Sequence, residues 1–241
     1  MGVVVVTGGS RGIGAAICRL AAKDHQVVVN YSGDAAAAEA VAEEVGGRAI
    51  RANVADEADV ARLFDEAAEL GPLTGLVCNA GITGNRICRL DETDVATVRE
   101  VLAVNVVGTF LCDKEAVRRM STRYGGGGGA IVNISSTAAH RGSPNEWVHY
   151  AAGKAAVETL TLGLALEVGD EGIRVNAVSP GLVQTGLHEA AGAPDRLQRV
   201  APNIPMKRAG QPEEIAEGVV WLLSDAASFV TGAVLPISGG R

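Results

Sequence analysis

The sequence predicts an α/β fold in which a doubly wound parallel sheet of about seven strands carries helices on both faces. Short β-branched runs alternate with longer Ala-rich stretches along all 241 residues. The first run, Val3-Val4-Val5-Val6, is apolar at every position, as a parallel strand covered on both faces requires. A glycine-rich turn follows it at once and opens the first helical stretch.

Strands are expected at residues 3–6, 27–30, 49–52, 75–78, 130–134, 174–178 and 233–237, each a run rich in Val, Ile or Ala. Helices are expected near 12–23, 34–46, 56–69, 91–123, 147–169 and 212–223, where good helix formers dominate. The five glycines at 125–129 fall between a helix and a strand and read as a flexible surface loop. No repeat or linker divides the chain, so residues 1–241 are expected to form one domain.

Hydrophobic residues make up 47% and charged residues 20%, which excludes disorder. The 21 basic residues against 28 acidic ones give a net charge of −7, arguing against nucleic acid or an anionic membrane as partner. Cys18, Cys78, Cys88 and Cys112 show no C-x-x-C spacing and read as reduced packing thiols. The four His residues add no metal-ligand pattern, so no metal is expected. No apolar run reaches the roughly 20 residues of a membrane span. The N-terminus lacks a basic n-region, and a cytoplasmic location is expected.

Thr7-Gly8-Gly9-Ser10-Arg11-Gly12-Ile13-Gly14 links the first strand to the first helix. Glycines there let the backbone turn sharply and approach a pyrophosphate, while the helix N-terminus offers N–H groups and positive dipole charge. The arrangement is Rossmann-type and implies a dinucleotide. Cofactor choice is read at the end of the second strand, Val29-Asn30-Tyr31-Ser32, where an NAD site places an acid on the ribose 2′-hydroxyl. No acid occurs there until Asp34, and Arg11 is available for a 2′-phosphate, so NADP(H) is preferred and NAD(H) stays open.

Tyr150-Ala151-Ala152-Gly153-Lys154 puts a phenol and an ammonium one turn apart on one helix face. A free Tyr has a pKa of ~10, and a neighbouring Lys⁺ is expected to lower it into working range for proton transfer to a carbonyl oxygen. Asn133-Ile134-Ser135-Ser136 at a strand end precedes this pair.

Taken together these residues resemble, over the whole chain, the compact single-domain branch of the short-chain dehydrogenase/reductases. Within it the chain is similar to bacterial uncharacterised sugar-dehydrogenase-like and 3-oxoacyl-carrier-protein-reductase-like oxidoreductases. The T-G-x-x-x-G-I-G loop matches Thr7 to Gly14, and the adenine-side Asp-Val is read as Asn53-Val54. The N-N-A-G segment appears as Cys78-Asn79-Ala80-Gly81, and a helix-borne Asn as Asn105. The nicotinamide-holding stretch corresponds to Ser179-Pro180-Gly181-Leu182-Val183-Gln184-Thr185, with Thr185 also a candidate cap for the next helix.

The resemblance implies that Tyr150 is the acid/base and that Lys154 lowers its pKa and bonds the nicotinamide ribose. It also implies that Ser136 orients the substrate oxygen, with Ser135 and Ser143 as lesser candidates, and that Asn105 holds a water linking Lys154 to bulk. Cofactor contacts are expected from Gly8, Ser10, Arg11, Gly12, Ile13, Gly14, Asn30, Tyr31, Ser32, Asn53, Val54, Asn79, Ala80, Gly81, Tyr150, Lys154, Pro180, Gly181, Val183 and Thr185. Fourteen positions separate Ser136 from Tyr150, one more than the family pattern, placing an extra residue near 143–147.

His140, Asn145, Trp147 and His188 are expected beside Ser136 in the substrate pocket, under a mobile lid at 186–205. The substrate is a small carbonyl or secondary alcohol. The helix of Tyr150 shows a second apolar face (Leu160, Leu164, Val168), which the resemblance turns into a homotetramer or homodimer contact. A dinucleotide-binding regulator without turnover is the competing function. An epimerase or dehydratase is disfavoured by chain length and loop spacing.

Overall fold

The computed structural model describes residues 2–84 and 86–241, with His188 described for its backbone alone. Its strands are β1 (Val3–Val6), β2 (Gln26–Tyr31), β3 (Arg48–Arg51), β4 (Leu73–Cys78), β5 (Gly129–Ile134), β6 (Ile173–Pro180) and β7 (Val234–Ile237). The helices are α1 (Gly12–Ala21), α2 (Ala35–Glu44), α3 (Glu57–Ala68), α4 (Val95–Leu102), α5 (Gly108–Met120), α6 (Ala138–Arg141), α7 (Val148–Val168), α8 (Leu187–Ala190), α9 (Arg196–Val200) and α10 (Pro212–Leu223).

The four valines of β1 show how the sheet is covered. Strand side chains alternate between faces, and Val4 and Val6 join Ile17, Val219 and Leu222 on one side. Val3 and Val5 join Leu63, Phe64, Met120 and Ile131 on the other. All four valines are fully buried, each contributing roughly 1.5–3 kcal/mol of apolar burial. Every strand pairing is parallel, and the strand order is β3-β2-β1-β4-β5-β6-β7. Chain order therefore reverses direction at β1, which opens a crevice beyond the carboxyl ends of β1 and β4.

The stretch expected as one helix at 91–123 is interrupted. Between α4 and α5 a single wide π-turn spans Ala103–Val107 around the fully buried Asn105. The continuous helical segment Val95–Met120 has a mean hydropathy of 1.6 over its most apolar window and is long enough to cross a membrane. Its Val101, Cys112, Ala116 and Met120 are buried in the fold, and its last two turns carry Asp113, Lys114, Glu115, Arg118 and Arg119. These are features of a helix packed on a sheet.

Two expectations need correction. The glycines at 125–129 form a tight turn rather than a loose loop. Gly126 N–H donates to Ser121 at 2.9 Å and Gly128 N–H to Met120 at 2.7 Å, while Gly129 already begins β5. On α7, two residues of the face Leu160, Leu164 and Val168 turn inward: Val168 is buried and Leu164 packs on the core, while Leu160 is half-buried. The apolar residues facing outward are Leu162 and Leu166, the latter 79% exposed.

Candidate active site

The amino end of α1 differs from those of its neighbours. Asp34, Asp56 and Asp94 cap α2, α3 and α4 by accepting from the backbone N–H groups of Ala37, Asp59 and Thr97. At α1 the N-cap is Arg11, whose side chain makes no such bond. The first N–H groups there, with the positive end of the helix dipole, are left for an anion. Gly12 holds φ at +55°, and a Cβ on Gly14 would lie 2.2 Å from the Gly8 carbonyl oxygen, so this cradle accepts glycine alone at both positions.

Side chains pin the cradle to the sheet. Asn79 Nδ2 donates to the carbonyls of Thr7 and Gly8 at 2.9 and 3.0 Å. Thr7 Oγ1 accepts from the N–H groups of Asn79 and Ala80 at 2.9 and 3.0 Å. A Thr185 methyl lies 3.3 Å from the Cβ position of Gly12, which brings the segment after β6 onto the loop. Gly181 N–H donates to Ile237 at 3.0 Å, tying Pro180-Gly181 to β7, and Val183 bridges to Gly210. Gly186, not Thr185, is the cap residue of α8. Ser10 is part-exposed in the loop, while Ile13 packs partly on the core. The uncapped helix end and its glycine cradle fit a dinucleotide pyrophosphate.

The adenine-side residues divide. Asn30 is 1% exposed. Its Oδ1 accepts from Gly8 N–H at 3.3 Å, and its Nδ2 donates to Ile50 and Ala52 at 3.3 and 3.1 Å. Its amide is thus consumed in joining the loop to β3, and it positions the cradle instead of offering a free amide to a cofactor. Tyr31 packs partly on the core, and Ser32 is exposed with its carbonyl accepting from Arg51 Nε. Arg11 Nη2 stands 3.2 Å from Asp34 Oδ2 in an exposed ion pair. Val54 is buried, and Asn53 Oδ1 accepts from Ala55 N–H at 3.1 Å, closing a local turn while the side chain stays exposed.

The acid-base residues converge. Ser136 lies close enough to the half-buried Tyr150 for its hydroxyl to favour the phenolate. Lys154 Nζ sits 5.7 Å from the Tyr150 ring centroid, and it donates to the Ile134 carbonyl at 2.7 Å. A Cβ on Gly81 would lie 3.4 Å from both Lys154 Nζ and Asn105 Oδ1, so these three meet at one point. Asn105 Oδ1 accepts from Ile82 N–H and its Nδ2 donates to Ile82 C=O, both at 2.8 Å. The π-turn is what presents this amide to the strand end. Ser135 is spent elsewhere: its hydroxyl donates to Glu158 at 2.7 Å and to the Lys154 carbonyl at 3.2 Å.

Electrostatics depart from expectation. Burial raises the Tyr150 pKa above 10, opposed by the Ser136 hydrogen bond and then by the Arg196 charge. Burial also drives the pKa of the Lys154 ammonium, 5.7 Å from the ring centroid, down to about 8.

On the substrate side, Trp147 is 3% exposed and packs with Tyr150, Ile87, Ala191 and Ala193. His140 is exposed and paired with Glu158 at 2.9 Å, two turns along α7 from Tyr150. Asn145 is exposed with φ +60°, and Ser143, buried nearby, has φ +44°. Among the described residues no hydrogen bond links His140 or Asn145 to the Tyr150 phenol. The His188 side chain lies outside the described residues.

Residues 8–241 match the family model described as enoyl-(acyl carrier protein) reductase. The chain belongs to the short-chain dehydrogenase/reductase family. It is 48% identical to the uncharacterized oxidoreductase YgfF of Escherichia coli strain K12, over all of both chains. It is 46% identical to a cis-4-hydroxycyclohexanecarboxylate dehydrogenase of Sinomonas cyclohexanicum, covering 99% of this chain and 95% of that one. It is also 38% identical to the 3-oxoacyl-[acyl-carrier-protein] reductase FabG of Staphylococcus aureus, covering 98% and 96%. A solved structure described as ribose-5-phosphate isomerase from Brucella melitensis 16M superposes with a TM-score of 0.91 at 33% identity, covering 99% of this chain and 92% of that one. As a short-chain dehydrogenase/reductase the chain is an NAD(P)-dependent oxidoreductase.

One residue beside the site of this short-chain dehydrogenase/reductase escapes sequence reasoning. Arg196 of α9 lies over the Trp147 ring, 4.8 Å from its centroid, and pairs with Glu146 at 2.8 Å. The pairing spans fifty positions of sequence, so no local motif signals it.

Proposed function

We propose that the enzyme transfers hydride between NADP(H) and a carbonyl or secondary alcohol, with Tyr150 as acid/base. The observation that carries this reading is the Tyr150 ring, 5.7 Å from the ammonium of the buried Lys154 and close to Ser136. The bound nicotinamide supplies or takes the hydride. Tyr150 Oη gives a proton to the substrate oxygen in reduction and takes it back in oxidation. Ser136 Oγ holds that oxygen against Oη. Lys154, kept close to its titration point by burial, stabilises the phenolate that remains. Asn105 anchors the Gly81-Ile82 segment beside Lys154.

Arg11 is the candidate partner of a 2′-phosphate, with Asp34 as its counter-ion until cofactor binds. The names of two relatives, a hydroxycyclohexanecarboxylate dehydrogenase and a 3-oxoacyl reductase, favour a secondary alcohol or its ketone. Residues 186–205 close over it as a lid. Residues 1–241 act as one domain in a cytoplasmic homotetramer or homodimer, assembled through exposed apolar side chains such as Phe110 and Leu166.

The test is oxidation of NADPH and NADH over a panel of ketones, aldehydes and 3-oxoacyl thioesters, with Tyr150→Phe alongside. Turnover is expected to prefer NADPH and to fall roughly 100- to 10,000-fold in the variant. Turnover that survives Tyr150→Phe overturns the acid-base assignment.

A further inference from the structure

We infer that Arg196 and Trp147 form a subsite for a carboxylate on the substrate, so that the enzyme acts on oxo- and hydroxy-carboxylates. This deepens the function proposed above and rests on it for the position of the reacting carbonyl.

Arg196 opens α9, within the segment proposed as the lid, and lies over Trp147. Its side chain is 13% exposed, and its guanidinium stacks on Trp147, which packs against Tyr150. Glu146 engages Nε at 3.4 Å and Nη2 at 2.8 Å. Nη1 bonds no group among the described residues, which leaves two N–H donors of the planar fork unused. A carboxylate is the anion such a fork matches in a plane.

A second, independent feature points the same way. The Trp147 indole Nε1 is buried and has no hydrogen-bond partner among the described residues. Buried donors are ordinarily satisfied, and an orphan marks a place where another acceptor belongs. A substrate carboxylate would take one bond from this N–H and one from Arg196, answering both vacant donors at once.

The local charge balance is cationic in an otherwise acidic protein. Arg141 and Arg241 join Arg196 closely enough that their like charges depress the Arg241 pKa after burial, with Glu146 the opposing acid. Arg199 also draws on Glu146 at 3.9 Å. Arg199 pairs with Asp195 as well, at 3.7 Å. Glu146 and Asp195 together thus face Arg141, Arg196, Arg199 and Arg241, and a further anion is accommodated electrostatically. The reaction balances as before: NADPH gives hydride to the carbonyl carbon, Tyr150 gives the proton to its oxygen, and the carboxylate remains unchanged.

The test compares NADPH-dependent reduction of 4-oxocyclohexanecarboxylate with that of its neutral carboxamide. Wild type is expected to prefer the acid by roughly 100-fold in kcat/KM, and Arg196→Gln to bring the acid-to-amide ratio to about one, whatever its effect on the rate common to both. Trp147→Phe, which keeps the stacking and loses the N–H, should cost the acid alone about tenfold. Glu146→Gln, which removes the competing carboxylate, should lower KM for the acid. It also gives a variant that can report if Arg196→Gln fails to fold.

A binding arm needs no turnover. In a Trp221→Phe background Trp147 is the remaining tryptophan, and its fluorescence in the NADP⁺ complex is followed as cyclohexanecarboxylate or cyclohexanecarboxamide is added. A response to the acid that Arg196→Gln removes supports the subsite, even if no carbonyl is reduced and the proposed function fails. Equal responses to acid and amide overturn it, as does equal kinetics on the two ketones. A response to inorganic phosphate equal to that of the acid overturns the assignment to carboxylate.

Discussion

The ammonium of Lys154 donates to the carbonyl oxygen of Ile134 at 2.7 Å in a site where the side chain is 4% exposed. The bond ties α7 to the end of β5, and it holds a charge that the surroundings disfavour.

That burial has a pH signature. The folded pKa is about 8 against 10.5 for the unsupported group, so between those values the unfolded chain binds a proton that the folded chain has released. Stability from this group therefore rises with pH across the window, and its cost is fully present below pH 8. Urea unfolding of wild type and Lys154→Met at pH 7 and 9.5 is expected to show the difference shifting by about 2 kcal/mol towards wild type. A difference independent of pH contradicts the assignment.

Asn105 reads both backbone groups of Ile82. Asn105→Ala leaves a buried N–H and C=O unpaired, and unfolding free energy should fall by about 2–4 kcal/mol. Asn105→Asp keeps the acceptor and should lose less. Weaker NADPH binding is expected in both, since Gly81 and Ile82 are no longer anchored; an unchanged Kd would separate Asn105 from the cofactor site.

The exposed pair of Arg11 and Asp34 contributes little stability, on the order of 0–1 kcal/mol, yet it sits where cofactor choice is expected. Arg11→Ala should lower kcat/KM for NADPH by roughly tenfold or more and leave NADH nearly unchanged. Asp34→Asn keeps the helix cap and should raise the preference for NADPH. If Arg11→Ala weakens both cofactors equally, the Arg acts on the shared pyrophosphate instead.

Asp113 is a buried carboxyl that accepts from Asn133 Nδ2 at 3.1 Å and from Cys78 Sγ at 3.5 Å. Burial raises its pKa from 3.8 to about 7. The folded chain keeps a proton there that the unfolded chain loses, so stability falls as pH rises through this range and the cost is complete above pH 7. Asp113→Asn is expected to raise Tm at pH 8, with an upper bound of roughly 4 kcal/mol in unfolding free energy, and to change little at pH 4. A variant equally displaced at both pH values argues for a packing effect.

The central strands were legible because they are short, β-branched and buried on both faces, so composition separates them from the Ala-rich helices. The edge strands β3 and β7, by contrast, are only part-buried. The glycine loop, Tyr150 and Lys154 were legible because their spacing is itself the chemistry. Asn30 was not, since Gly8, Ile50 and Ala52, which take up its amide, lie on two other segments, and a strand-end Asn looks the same whether it faces a ligand or the sheet. Ser136 ranks above Ser135 on the resemblance alone, and the physical reason, that Glu158 twenty-three positions away claims the Ser135 hydroxyl, is not visible in the local sequence. The inward turn of Leu164 and Val168 was hidden because α7 is apolar on more than one side.

The wide turn at Ala103–Val107 also keeps a long helix in phase. Val101, Asn105, Thr109, Cys112, Ala116 and Met120 are all buried, and these five steps cover nineteen residues where 3.6 per turn would take eighteen. The surplus residue is absorbed at the turn. Without it every position beyond Val107 would rotate by roughly 100°, and the stripe that faces the sheet would swing towards solvent. Asn105 is therefore a splice between two helices that share an axis but not a register. Removal of one residue there would unseat the back of α5 as well as the amide at its centre.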